Sequence, residues 1–344
     1  MHIVNPQILQ NMINPIYSAD KARYSGGMKY RRCGKSGILL PEVSLGLWHN
    51  FGDVDTLANS LRMAHFAFDK GITHFDLANN YGPSYGSAEE TFGLIMKKSF
   101  MPYRDELFIS TKAGHDMWEG PYGNWGSRKY LMSSLNQSLK RMNLEYVDIF
   151  YTHRYDPETP LEETLQALVD IVRQGKALYI GISKYPKEKA EFAYRYVEER
   201  DVHCLLYQGR YNLFNREPEA QGILRQAQEN GTGFIAFSPL AQGLLTNRYL
   251  NGIPEDSRIA RGGFLKKEQL TDQVLNKIKA LNEVAGSRGQ TLAEMALAWI
   301  LKDDLVTSVI IGASSVSQLA DNLKATENCK FSTDEIQRIG NILQ

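Results

Sequence analysis

What this sequence lacks narrows it first. Its three cysteines, Cys33, Cys204 and Cys329, are odd in number, far apart and form no CxxC pair, which excludes a disulfide framework or zinc cluster and suits the reduced thiols of a cytosolic protein. No apolar run reaches the ~18 residues that a spanning helix needs, and the first 27 residues show neither the charged nor the apolar region of a signal peptide. A cytoplasmic protein without membrane contact is expected. Net charge is also missing: Lys+Arg and Asp+Glu number 39 each, so no strong field for nucleic acid is present. The seven histidines are scattered, with no HExxH, so no metal site is expected. A GxGxxG loop after a strand is absent too; Gly231 and Gly233 form a Gly-x-Gly, but it precedes a strand.

What is there is a repeating pattern. Residues 1–27, rich in Asn, Ser and Gly, read as a poorly ordered lead-in, and 28–40 reads as two short strands around a Gly-Lys-Ser-Gly turn. From Glu42 onward, short apolar runs alternate eight times with stretches of helical period. The runs are 42–48, 73–78, 107–113, 147–153, 177–183, 204–211, 233–240 and 306–312. The helical stretches include 55–70, one starting near Ser87, 127–142, 161–174, 187–200 and 217–230. Nearly continuous apolar strands joined by crossover helices imply a parallel sheet covered on both faces, and eight such units fit a closed (β/α)8 TIM barrel. The seventh connection is overlong and carries extra helices, 266–287 and 292–302, before the eighth strand; a last helix, 333–343, closes the chain. No linker divides residues 28–344, which read as a single domain.

In such a barrel the site is built where strands end. Strand two ends on Asp76, strand three carries Lys112, strand four ends on His153, and Tyr81 lies on the loop after Asp76. An Asp–Lys pair at a barrel rim is more often structural than catalytic, and a lone His after an apolar run is more often core; four such groups on neighbouring strand ends reverse that weighting. A tyrosine hydroxyl titrates near ~10 and is a weak acid at neutral pH. Lys112 is expected to lower that value, Asp76 to offset the burial of the ammonium, and His153 to polarise a carbonyl beside Tyr81. An acid and a polariser without nucleophile, metal or carboxylate pair suit carbonyl reduction with hydride from a cofactor.

The segments FDLANNYG with SAEE, ISTKAG and DIFYTHR resemble the aldo-keto reductase superfamily, NADPH-dependent carbonyl reductases on a (β/α)8 barrel, and the resemblance runs from Met28 to about residue 331. It implies Tyr81 as proton donor, Lys112 and Asp76 as its partners, and His153 as the group that orients the carbonyl. It also implies a cofactor extended across the barrel mouth. Trp48 and Asp76 would stand beside it, Ser183 and Gln208 on the nicotinamide amide, and Phe237 stacked on the nicotinamide ring. Ser238, Pro239, Leu240 and Gly243 would surround the diphosphate. Arg248, Arg258, Gly312, Ser314, Gln318, Asp321 and Asn322 would lie towards the adenine end, where a helix start after Gly312 also suits a phosphate. Ser315 stands where many relatives carry an Arg for the 2′-phosphate of NADPH, so NADH is a second possible cofactor.

The overlong seventh connection and the stretches LGLWHNFG, KAGHDMWEGPYGNWG and SPLAQGLLTNRYLNGIPEDSR look like one branch of the superfamily. That branch holds voltage-gated potassium channel β subunits and bacterial L-glyceraldehyde 3-phosphate reductases. Two readings follow: a channel-subunit-like binding module with residual redox activity, or a reductase of small aldehydes such as L-glyceraldehyde 3-phosphate or methylglyoxal. Position 153 separates them, being Asn in channel subunits and His here. Trp48, Tyr81, Trp118 and His153 are the expected substrate pocket, with Arg154 and Lys129 as charges that could meet a phosphate. The branch implies a homo-oligomer, a tetramer or larger.

Overall fold

The computed structural model describes residues 17–250, 252–255, 259–260 and 265–344. A two-stranded antiparallel hairpin, β1 (Tyr30–Arg32) and β2 (Leu39–Pro41), precedes eight parallel strands. These are β3 (Val43–Gly46), β4 (His74–Asp76), β5 (Phe108–Ala113), β6 (Val147–Thr152), β7 (Ala177–Ser183), β8 (Cys204–Arg210), β9 (Gly233–Phe237) and β10 (Ser308–Ile311). They close in the order β10-β3-β4-β5-β6-β7-β8-β9, the (β/α)8 barrel that the alternation predicts. Each of the eight apolar runs supplies one barrel strand, trimmed by a few residues at its ends.

Cys33 and Leu40 of the hairpin region pack with Phe108, Ile149, Tyr151, Leu206, Ile235 and Ile310 in one buried cluster, so the hairpin is part of the same core as the barrel strands. Inside the barrel large and small residues face each other. Gly181 lies opposite Tyr151 in the β6–β7 register, and a Cβ at Gly181 would come within 2.3 Å of the Tyr151 ring. Only a residue without a side chain lets that ring lie across the barrel interior.

The outer helices are α1 (Leu57–Asp69), α2 (Ser87–Ile95), α3 (Arg128–Met142), α4 (Leu161–Arg173), α5 (Lys187–Glu198), α6 (Glu217–Ala220), α7 (Ile223–Glu229), α8 (Asp272–Ser287), α9 (Leu292–Ile300), α10 (Val316–Leu323) and α11 (Thr333–Leu343). Several open on side chains that accept the first free backbone N–H groups: Thr56, Ser127, Thr271, Ser315, and, with a reciprocal glutamate, Thr291 and Ser332. The single helix expected over 217–230 is two. Gly222 sits at φ 74°, a left-handed conformation that ends α6 and lets α7 start on a new axis.

The lead-in expected over 1–27 is tied down from Tyr17 onward. Tyr17 donates to Asp69 Oδ1 at 2.7 Å, the Ala19 N–H donates to Tyr103 Oη at 3.0 Å, and Arg23 pairs with Glu106. The Tyr17 ring stacks on His65 with centroids 3.9 Å apart. An aromatic and a guanidinium anchor this segment to α1 and the turn before β5, a contact that polar composition alone does not reveal. Residues 1–16 lie outside the described residues. Among the described residues, no helix is long and apolar enough to cross a membrane, and no His, Cys, Asp and Glu group could hold a metal ion.

Candidate active site

Strand register does the assembling. Asp76 at the end of β4 lies opposite Ser110 of β5, and Lys112, two residues along, shares that face because side chains alternate. Lys112 Nζ donates to Asp76 Oδ2 at 2.7 Å and to the Leu77 carbonyl, and lies 3.3 Å from Tyr81 Oη. Tyr81 is held by its turn: its N–H donates to Ala78 O at 3.1 Å, and its carbonyl accepts from the Ala88 N–H at 3.2 Å. His153 follows β6, and its ring meets the Tyr81 ring edge-on at 5.7 Å between centroids. The structure therefore brings Asp76, Tyr81, Lys112 and His153 together at one barrel mouth, with Trp48 6.4 Å from Tyr81, ring to ring.

The electrostatics differ from the expectation in one respect. Lys112 is fully buried and Asp76 nearly so. Burial, with the Asp76 charge adding to it, holds the Tyr81 phenol well above its ordinary value of 10, whereas the sequence reading has Lys112 lowering it. The reason is that Asp76 largely neutralises Lys112, leaving desolvation of the phenolate to dominate. Burial, followed by the charge of Lys112, keeps His153 well below 6.5, so its imidazole is neutral; among the described residues its buried Nδ1 has no hydrogen-bond partner. A neutral phenol holds its proton ready; the ammonium beside it acts when charge develops as that proton leaves.

Behind these four lies a chain that the sequence reading missed. Ser110 Oγ donates to Asp76 Oδ1 at 2.7 Å, His74 Nε2 meets Ser110 Oγ at 3.1 Å, His74 Nδ1 meets Ser44 Oγ at 2.8 Å, and Ser44 meets Ser308 at 2.7 Å. Asp76, paired with Lys112, can only accept, so Ser110 donates to it and His74 Nε2 carries the proton. Burial lowers His74 to about 4, which keeps it in that neutral form. The signal was available: His74 and Ser110 stand two residues before Asp76 and Lys112, on the same strand faces. Glu89, fully buried in α2, accepts from Thr111 and from Arg141 Nε at 2.8 Å and ties α2 to β5 and α3.

The residues assigned to a nicotinamide amide fit that group. Ser183 and Gln208 are paired neighbours on β7 and β8. The Ser183 hydroxyl is buried without a partner, and Gln208 Nε2 donates to Asp76 Oδ1 at 3.1 Å, leaving its carbonyl oxygen without a protein donor among the described residues. A hydroxyl and a carbonyl are the complement of a primary amide. Phe237 ends β9 beside them, and a cavity of about 590 Å³ is lined by Trp48, Lys184, Phe237, Ser238 and Gln242 among others. Ser238, Pro239, Leu240 and Gly243 form the loop after β9, where Ser238, Ala241, Gln242 and Gly243 all take positive φ, a strained backbone of the kind found at ligand sites.

Gly312 and Ser314 follow β10, the next strand round the barrel. The Ser314 N–H and hydroxyl both donate to Gln318 Oε1, Asp321 pairs with exposed Lys324, and Asn322 is buried with its Nδ2 unpartnered among the described residues. Ser315 caps α10, accepting from the Gln318 N–H at 3.2 Å. Arg248 is exposed in a short turn beyond the β9 loop, and Arg258 lies outside the described residues. Trp118 is set apart from the cavity lining and packs on Tyr130, ring centroids 5.1 Å apart.

The aldo/keto reductase family profile matches residues 42–344. The chain belongs to the aldo/keto reductase family. It is an oxidoreductase, and members of the family use nicotinamide cofactors. This reductase is 56% identical over 328 residues to the L-glyceraldehyde 3-phosphate reductase of Escherichia coli (strain K12), covering 94% of each chain. It is 35% identical over 306 residues to a probable voltage-gated potassium channel subunit beta of Arabidopsis thaliana, covering 87% of this chain and 92% of the relative. Among solved structures it matches a thermostable aldo-keto reductase, Tm1743, in complex with the inhibitor epalrestat, with a TM-score of 0.71, 30% identity, and 92% and 100% of the two chains covered.

Proposed function

We propose that this aldo/keto reductase reduces small aldehydes to alcohols with NADPH, Tyr81 giving the proton, and that L-glyceraldehyde 3-phosphate and methylglyoxal are the substrates to try first. The observation that carries this is the convergence of Lys112, Asp76, Tyr81 and His153 within hydrogen-bond or ring contact of one another. When bound, the nicotinamide supplies the hydride. The chain does the rest: neutral His153 donates a hydrogen bond to the carbonyl oxygen, Tyr81 Oη transfers its proton to that oxygen, and Lys112 stabilises the phenolate left behind.

Support for an enzyme over a channel-like binding module comes from His153 at the site and from the higher identity to a protein named as a reductase. NADPH preference rests on the family resemblance. Since Ser315 is occupied as a helix cap, Arg248 and Arg258 are the charges assigned to the 2′-phosphate. A cytoplasmic homo-oligomer is proposed from the same resemblance. The test is a fluorescence titration with NADPH and NADH, followed by turnover of short aldehydes and aldose phosphates. NADPH is expected to bind at least about tenfold tighter, a difference of about 1.4 kcal/mol, and short aldehydes to be consumed with matching loss of NADPH. Binding of neither nicotinamide would contradict the proposal.

A further inference from the structure

Four consecutive barrel strands, β10, β3, β4 and β5, each place one polar side chain in a buried line that ends on the site: Ser308, Ser44, His74 and Ser110. All four are fully buried, and Asp76, where the line ends, is nearly so. Their hydrogen bonds run in one direction. Asp76, paired with Lys112, only accepts, so Ser110 gives its single hydroxyl proton to Oδ1 at 2.7 Å. His74 Nε2, 3.1 Å from Ser110 Oγ, is then the donor of that contact, which leaves Nδ1 of the neutral ring as an acceptor. Ser44 Oγ donates to Nδ1 at 2.8 Å and accepts from Ser308 Oγ at 2.7 Å. Each proton in the line points towards Asp76.

The His74 ring decides where the Ser110 proton goes. Ser110 Oγ has a second acceptor in reach, the Phe75 carbonyl at 3.4 Å. A donor on the His74 side of the oxygen occupies one lone pair and turns the proton to Asp76. Asp76 Oδ1 also accepts from Gln208 Nε2 at 3.1 Å, while Oδ2 meets Lys112 Nζ at 2.7 Å. A carboxylate whose charge is shared with two neutral donors draws less on its cation. What Asp76 leaves of the ammonium field falls on Tyr81 Oη, 3.3 Å from Lys112 Nζ, and acts when the phenolate forms. Both ring nitrogens of His74 meet serines, so its influence on Tyr81 passes through Ser110, Asp76 and Lys112.

We propose that His74 is a positioning residue for proton transfer from Tyr81: through Ser110 it fixes the Asp76 carboxylate, and so leaves the Lys112 ammonium free to stabilise the phenolate. This rests on the reductase reading and adds to its machinery a residue that acts from behind the four reacting groups. The competing role for a buried histidine is packing alone, and His74 does pack edge-on against Phe108, 5.5 Å between ring centroids. His74→Phe keeps a ring of similar size at that contact and removes both nitrogens, which separates the two roles.

The test measures kcat and KM for a short aldehyde and Kd for NADPH in His74→Phe, His74→Gln, Ser110→Ala and the double variant of His74→Phe with Ser110→Ala. His74→Phe is expected to lower kcat about 5- to 30-fold, less than outright loss of a hydrogen bond to a charge because the effect is relayed. KM and Kd should stay within about twofold. His74→Gln, whose amide can donate to Ser110 and accept from Ser44, should recover most of the rate. Ser110→Ala should lower kcat at least as much as His74→Phe, and adding His74→Phe to it should lower kcat by no more than about twofold further, since the link is already cut. Losses that multiply in the double variant overturn the proposal. Wild-type kcat in His74→Phe, even with a lowered urea midpoint, overturns it too, as does a loss of NADPH affinity as large as the loss of rate. Should His74→Phe not fold, Ser44→Ala, which deletes one oxygen, takes its place in the same cycle with an expected loss of about threefold. A readout without turnover comes from NMR of protein isotopically labelled at its lysine Nζ atoms: the Lys112 signal should shift in His74→Phe and return in His74→Gln. If the wild type reduces no aldehyde, the reductase reading fails, while that shift still supports the positioning role; an unmoved signal refutes it.

Discussion

Tyr81→Phe is expected to lower the rate of aldehyde reduction by about a hundredfold to ten-thousandfold, the range a positioned general acid supplies, while nicotinamide binding stays within about twofold of wild type. The argument is geometric. The lost atom is the hydroxyl that lies 3.3 Å from Lys112 Nζ, and the phenyl ring keeps its edge contact with His153 and its place near Trp48. Nothing that supports Ser183, Gln208 or Phe237 depends on that oxygen. Single-turnover kinetics and a fluorescence titration on the same preparation check it. Wild-type turnover in the variant would remove Tyr81 from the proposed chemistry.

Lys112→Met should be as damaging to turnover and also weaken the fold. The methionine keeps the volume, but Asp76 is then a buried carboxylate without its cation, its side chain left with the Ser110 and Gln208 donors among the described residues. Breaking a buried pair by removing one partner costs about 3–5 kcal/mol. Lys112 has no exposed surface and Asp76 is 2% exposed, so solvent does not soften that penalty. Adding Asp76→Asn to Lys112→Met removes the stranded charge. The double variant is expected to regain most of the stability in urea and none of the turnover, because no ammonium is left beside Tyr81. A double variant that is active would show that the ammonium serves the fold alone.

How much of this was legible beforehand depended on what each feature needs to be seen. The barrel was, because a parallel strand buried on both faces leaves a continuous apolar run and the runs recur eight times. The four site residues were, because an Asp–Lys pair or a lone His has an ordinary structural role at a strand end, but four such groups on neighbouring strand ends outweigh it. Direction of charge was not. That the Tyr81 phenol is pushed up instead of down follows from burial and from the 2.7 Å contact that neutralises Lys112, and both are properties of packing. Contacts across long stretches of chain were hidden for the same reason: Gln208 reaches Asp76 across 132 residues, and Arg31 meets Glu42 and the carbonyls of Leu301 and Asp303 near the other end of the sequence. The break at Gly222 was readable in principle, since a glycine inside a helical pattern marks a possible end, but the flanking period masked it.

The pair of His115 and Lys184 shows another limit. They lie 69 residues apart in sequence, and only the closing of β5, β6 and β7 side by side brings Lys184 Nζ within 3.2 Å of His115 Nε2. A loop position acquires meaning from the strands that carry it.

The pH dependence of kcat for reduction of an unphosphorylated short aldehyde, measured with saturating NADPH, tests the central claim most directly. With Tyr81 raised well above 10 the acid is fully protonated, and with His153 lowered well below 6.5 the carbonyl donor is fully neutral, so kcat is predicted to be flat between about pH 6 and about pH 9. A clear fall towards acid within that range would mean that His153 titrates there, and would contradict the assignment of a buried neutral imidazole to the reacting carbonyl.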